Sequence, residues 1–210
     1  MPAWKNRPML RRSEIVALAA ALLVLALLAL GADRLDRPLA DLTRDPTSAA
    51  GASFYLGYGS NLMIAGWLAG AAVALCAGAA LRGFSADSGA LLAAGALTAV
   101  IGLDDLFQFH EELAPAAGIP QKLVLAVYAA AAAWVAWRHG SWLLARGFAP
   151  LLAAVLLGVS VGVDLLDPEH ETLPHAAEDG PKLLGIALWS VYLSRVALSA
   201  LTARMRSPAS

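Results

Sequence analysis

Six long stretches of this chain are predominantly apolar: Ile15 to Ala32, Leu62 to Leu81, Ser88 to Leu103, Pro120 to Trp137, Phe148 to Val163 and Pro181 to about Leu201. Roughly 20 such residues cross the hydrocarbon core of a bilayer, where every backbone N–H and C=O must be bonded inside its own segment, and that restricts runs of this kind to helices. The apolar residues surround each run instead of forming a stripe, so the helices face lipid or one another. With 59% hydrophobic residues and a mean hydropathy of +0.65, the expected fold is all-α: a polytopic membrane protein of six transmembrane helices in a single integral membrane domain.

An internal repeat organises these helices. Gly162, Asp164, Leu166, His170, Glu171, Leu173, Lys182 and Leu183 repeat Gly102, Asp104, Leu106, His110, Glu111, Leu113, Lys122 and Leu123 at a constant offset of sixty residues. A fainter copy, Gly31, Asp33, Leu35, Asp36 and Leu42, lacks the His-Glu pair and the Lys. Self-similarity of this kind predicts three helical-hairpin repeats, at about 14–82, 84–138 and 146–203, each turning through a polar loop, with 204–210 as a polar tail.

Small residues supply the packing. Gly66, Gly70, Ala74 and Gly78 lie four apart on one helix face, and Gly158 and Gly162 repeat that spacing, which lets helices approach closely. The single cysteine, Cys76, sits in an apolar run as a small packing residue, and no intramolecular disulfide is possible. Trp134, Trp137 and Trp142 with Arg138, His139 and Arg146 form an interfacial belt.

Charge orients the chain. The basic start, with Lys5, Arg7, Arg11 and Arg12, precedes an apolar run too long for an ordinary signal peptide, so it reads as an uncleaved anchor. Counted with the termini, one side holds ten of the fifteen basic residues and only Glu14 and Asp87 among the acids; the hairpin loops hold the other fourteen acids, five bases and three of the four histidines. Positively charged loops stay cytoplasmic, which puts both termini inside and the acidic loops in the periplasm or exterior; the Ala, Leu, Gly and Arg bias suggests a bacterial inner membrane. A net charge of −1 offers nothing to nucleic acid; the expected partners are membrane lipids and a membrane-protein partner.

The acidic face carries the candidate chemistry. If the third helix runs on past the membrane, through Phe107 and Phe109, its 100° step stacks Asp104 under Glu111 and turns His110 a third of a revolution away, so one hairpin cannot aim all its ligands at one point. Two facing repeats could, and the candidate metal ligands are His110, Glu111, His170, Glu171, His175, Asp104 and Asp164. Imidazole and carboxylate suit a divalent metal such as Zn, and a site that keeps one water position is catalytic. Glu178 and Asp179, beside Gly180 and Pro181, are candidate general acid and base residues, although acids before a helix start also cap its free amides.

A structural reading uses the same residues as ion pairs. Lys122 and Lys182 stand at helix starts, where the dipole disfavours a cation, and would seek Asp104 or Glu111, and Asp164 or Glu171, latching each hairpin. The Lys-and-Arg-Pro and Ser-Gly-His motifs of PAP2-type lipid phosphatases have no match here, nor does the His-x3-His pattern of the ceramidase and adiponectin-receptor hydrolases. No phosphate loop, Ser-His-Asp order, Rossmann glycine pattern or haem Cys pair is visible. The favoured functional reading is a periplasm-facing metal site for hydrolysis of a lipid or lipid-linked substrate; the alternatives are a non-enzymatic scaffold or assembly factor with ion-paired hairpins, and proton or cation transport.

Overall fold

The computed structural model describes residues 12–39, 50–53, 56–166 and 176–206. The chain divides into two compact units, Met1–Gly57 and Tyr58–Ser210. In the first, α1 (Arg12–Arg34) is 23 residues long, about 35 Å at 1.5 Å per residue. It closes with Asp36 in the left-handed region (φ +51°), where Arg37 N–H bonds the Ala32 carbonyl at 2.9 Å. That turn satisfies a helix-end carbonyl with no partner further along the helix.

The second unit contains α2 (Tyr58–Ala80), α3 (Asp87–Phe107), a one-turn π-helix (Phe109–Leu113), the short α4 (Ala114–Ala116), α5 (Gln121–Leu144), α6 (Ala149–Leu166) and α7 (Ala176–Arg206). Five of these, α2, α3, α5, α6 and α7, are long and apolar enough to cross a membrane. Their surfaces say the same: Leu62, Leu103, Val127, Leu152 and Val191 are exposed, the arrangement of a protein solvated by hydrocarbon.

Helix α2 is central, and its small residues are the reason. A Cβ on Gly70 would sit 3.0 Å from Ser190 Cβ on α7, and one on Gly78 would sit 2.8 Å from Leu92 on α3. The stripe read in the sequence therefore serves two neighbours, α7 at its start and α3 at its end. From the α3 side, Gly95 meets Ala74 and Gly102 meets Trp67. The buried cluster of Ala74, Leu81, Leu91, Leu193 and Val196 fills the junction. Ser190 Oγ donates to the Gly66 carbonyl (2.8 Å), and Ser88 Oγ donates to the Gly78 carbonyl (2.8 Å).

Helix α5 is peripheral, with only Val124, Val135 and Leu143 buried. Its far end is held by polar contacts. Trp142 Nε1 and Arg146 Nη2 both donate to Asp87 Oδ1, at 2.6 and 2.8 Å, and the Arg146 guanidinium lies 4.2 Å from the Trp142 ring centroid. Arg195 Nη2 donates to the Arg146 carbonyl at 2.9 Å.

Several expectations change. The third helix does not run on through Phe109; it stops at Phe107, and Gln108 takes φ +51°. The fourth continues through the Trp-Arg-His segment to Leu144 because nothing there breaks a helix, and Pro120 stands before it as the N-cap, with ψ 135°. The last helix starts at Ala176, so Pro181 lies inside it, and Glu178 and Asp179 occupy its first turn instead of preceding it. Among the described residues Gly158 and Gly162 make no close helix contact; a Cβ at either would meet nothing within 4 Å. It is Gly185 of α7 that receives α6, through Leu157 at 2.9 Å. Cys76 is exposed and is not part of the packed face.

Candidate functional site

The break at Gln108 builds the site. Its N–H bonds the Asp104 carbonyl, closing α3, and the left-handed residue turns the chain back so that the π-helix begins against the helix it has just left. Glu112 N–H returns to the Gln108 carbonyl at 2.8 Å. π-Turns widen the helical step, and they recur at functional sites. Here the result is that His110, 8% exposed, folds onto Asp104, 4% exposed.

Asp104 accepts from three donors. His110 N–H reaches Oδ1 at 3.1 Å, Tyr128 OH on α5 reaches the same oxygen at 2.8 Å, and His110 Nδ1 contacts Oδ2. The other ring nitrogen, Nε2, lies 3.5 Å from Glu111 Oε1, so each ring nitrogen has a carboxylate beside it. Next along the chain, Asp105 accepts from Trp67 Nε1 on α2 at 3.0 Å and pairs with Lys182 Nζ on α7 at 3.3 Å. Four helices are thus pinned to two adjacent carboxylates.

Asp104, Asp105 and His110 offer ligand atoms that all lie within 4.8 Å of one another. The expected placement of His110 is corrected: the projection of a continuous helix turned it away from Asp104, and the positive φ at Gln108 brings it back, while Glu111 stays outside the three-residue group. A carboxylate on the second ring nitrogen is also the arrangement that fixes the tautomer and direction of metal-binding histidines.

The other anticipated residues fall as follows. Glu111 is half-exposed beside His110. Asp164, in the last turn of α6, accepts from Gln121 Nε2 at 3.2 Å and stands apart from the three-residue group. Lys182 pairs with Asp105, on the other repeat, and not with Asp164 of its own. Lys122 is exposed and makes no ion pair among the described residues, so its expected latch to Asp104 or Glu111 does not form. Glu178 lies one turn before Lys182 and lines the same cavity, whereas Asp179 does not. His170, Glu171 and His175 lie outside the described residues.

Below this polar cap is a cavity of about 660 Å³, walled by α3, α5, α6 and α7. Asp104, Asp105, His110, Asp164, Glu178 and Lys182 form one end; the rest is mostly Ala, Leu, Val and Gly. Asp105 is not among the ligands expected from the sequence, and three partners escaped that reading as well: Tyr128, Trp67 and Gln121. Tyr128 and Trp67 are lone hydrogen-bonding aromatics within Ala- and Gly-rich spans, and that isolation was the available signal.

Fold and site together define a helical membrane protein with a buried acid–histidine cluster at the head of an apolar cavity. A family described as a domain of unknown function, DUF8692, matches residues 15–196, and the chain belongs to it. No curated protein and no solved structure matches.

Proposed function

We propose that this is a multi-pass protein of a bacterial inner membrane that binds a divalent cation, such as Zn, with Asp104, Asp105 and His110 and hydrolyses a lipid or lipid-linked substrate. The convergence of those three side chains within 4.8 Å, at the polar end of an apolar cavity, carries this reading. An ion at such a site polarises a carbonyl or phosphoryl oxygen and makes a bound water acidic. Tyr128 and Glu111 stand where they would hold a proton or orient the ligands, and Glu178 faces the cavity as a candidate acid or base.

For topology we read α1 as a sixth span and both termini as cytoplasmic. The second unit supports this: Arg146 and Arg195 cluster with Asp87 at one end, and the acids gather at the other. A reporter fused after Arg206 is expected to report from the cytoplasm, and a tag inserted after Gly118 from the periplasm.

A second reading, an ion-paired scaffold or assembly factor, is favoured by the Lys182 to Asp105 and Gln121 to Asp164 contacts, which join the two repeats without any metal. Elemental analysis separates the readings. Detergent-purified wild type, reconstituted with Zn or Mn, is expected to hold near-stoichiometric metal that Asp104→Asn with His110→Ala loses and Lys122→Ala keeps. Absence of metal from the folded wild type would sink the metal reading and leave the scaffold.

A further inference from the structure

Two features separate the cavity from ordinary lipid-facing surface. The first is its length. Along α5 its lining runs from Leu125 to Leu144, about 28 Å at 1.5 Å per residue. One leaflet supplies only about half of the roughly 30 Å hydrocarbon core. A chain that fills the cavity therefore passes the bilayer midplane. Ala129, Ala132 and Ala136 on one wall and Ala154 and Gly158 on the other are exposed, so the cavity is reached sideways from lipid.

The second feature is Ser160. It is 4% exposed, lines the cavity, and stands one helical turn below Asp164 on α6. Its hydroxyl has no hydrogen-bond partner among the described residues. Thr98, Ser199 and Thr202, by contrast, each donate to the carbonyl four residues earlier in the helix, at 2.7 to 2.8 Å. A buried hydroxyl left without a partner carries its full desolvation penalty, so a ligand that supplies an acceptor there gains by relieving it.

The charge at the head of the cavity limits what sits above Ser160. Asp104, Asp105, Asp164 and Glu178 outnumber Lys182 and His110, so an anionic head is excluded unless a divalent cation accompanies it. On the reading of the preceding subsection, we infer that the cavity holds a single-chain acylated amphiphile. Its ester or amide carbonyl accepts from Ser160, its head lies against the acid–histidine cluster, and its chain descends between α5 and α6 toward Leu144 and Pro150. One turn, about 6 Å, separates Ser160 from Asp164, and an acyl carbonyl stands at a comparable depth below a compact head.

The probe is a monopalmitoyl glycerol with a diazirine near the end of its chain, irradiated with the full-length protein in phosphatidylcholine nanodiscs and mapped by mass spectrometry. Label is expected on Ala136, Leu143 and Leu151, several-fold above Val191 and Leu198 on the outer face of α7. Gly158→Phe starts from a Cβ that meets nothing within 4 Å among the described residues, and its ring, placed in the cavity, is expected to remove most of the cavity label. Ser160→Ala is expected to lower it several-fold. Should Gly158→Phe fail to fold, Ala132→Leu blocks the opposite wall. Label spread evenly over the exposed helices, and unchanged by these variants, is annular lipid and overturns the inference. Metal content measured on the same samples keeps the two proposals apart: metal with even labelling refutes only the amphiphile, and cavity labelling without metal refutes only the cation.

Discussion

Replacing Lys182 with Met tests the idea that one cation holds the two repeats together. Lys182 Nζ lies 3.3 Å from Asp105 Oδ1, with the side chains 22% and 10% exposed. Removing one partner of a fully buried pair costs about 3–5 kcal/mol, because the other charge is left unpaired. Two features reduce that figure here: Lys182 is one-fifth exposed, and Asp105 keeps its 3.0 Å hydrogen bond from Trp67. Lys182→Met is therefore expected to destabilise by about 2 kcal/mol, roughly thirtyfold in the folding equilibrium. Asp105→Asn alone should cost about 1–2 kcal/mol, since the amide still accepts from Trp67 and Lys182 still faces Glu178. The double variant should recover about 1–2 kcal/mol of the sum, the coupling of a contacting pair. Reversible unfolding in mixed micelles, followed by circular dichroism, measures all four corners. Single costs that add to within about 0.5 kcal/mol would refute the pairing and with it the crossed connection between repeats.

Gln108→Gly should stabilise the protein by up to about 1 kcal/mol, because glycine adopts the left-handed conformation without the Cβ penalty; Gln108→Val should destabilise it, and melting curves decide. Gly70→Leu must push α7 away from α2, where Ser190 Cα would stand 3.1 Å from a Cβ, and a loss of about 1–3 kcal/mol or failure to fold is expected in the same unfolding assay. Asp87→Asn should cost no more than about 1 kcal/mol, since the Arg146 pair is partly exposed, and the difference from wild type should shrink in high salt. Gly102→Ala should shift Trp67, whose Cβ would lie 2.7 Å from the new methyl. Altered fluorescence from that indole, read against a Trp67→Phe control, checks it.

The sequence by itself determined five of the helical spans and, within the second unit, the gathering of acids at one end, because both follow from solvent preference along the chain. Apolar runs of bilayer length admit one backbone solution, and so Leu62 to Leu81, all but its last residue, falls inside α2 and Ser88 to Leu103 inside α3. The face of α2 that packs was also legible, since Gly66, Gly70 and Gly78 leave room that no other side chain leaves. What joins the site was not legible. Periodicity places residues on an unbroken cylinder, and Gln at a positive φ carries none of the usual signals of Gly or Asn. Only the tertiary structure shows that α3 breaks at Gln108 and returns His110 to Asp104. Nor does repetition in sequence determine which helices touch. Lys182 was matched to the carboxylates of its own repeat, but α7 packs against α2 and brings that ammonium to Asp105, beside Trp67. Ion-pair partners are selected by which helices lie side by side, and that is decided by close packing at a few glycines across the whole bundle.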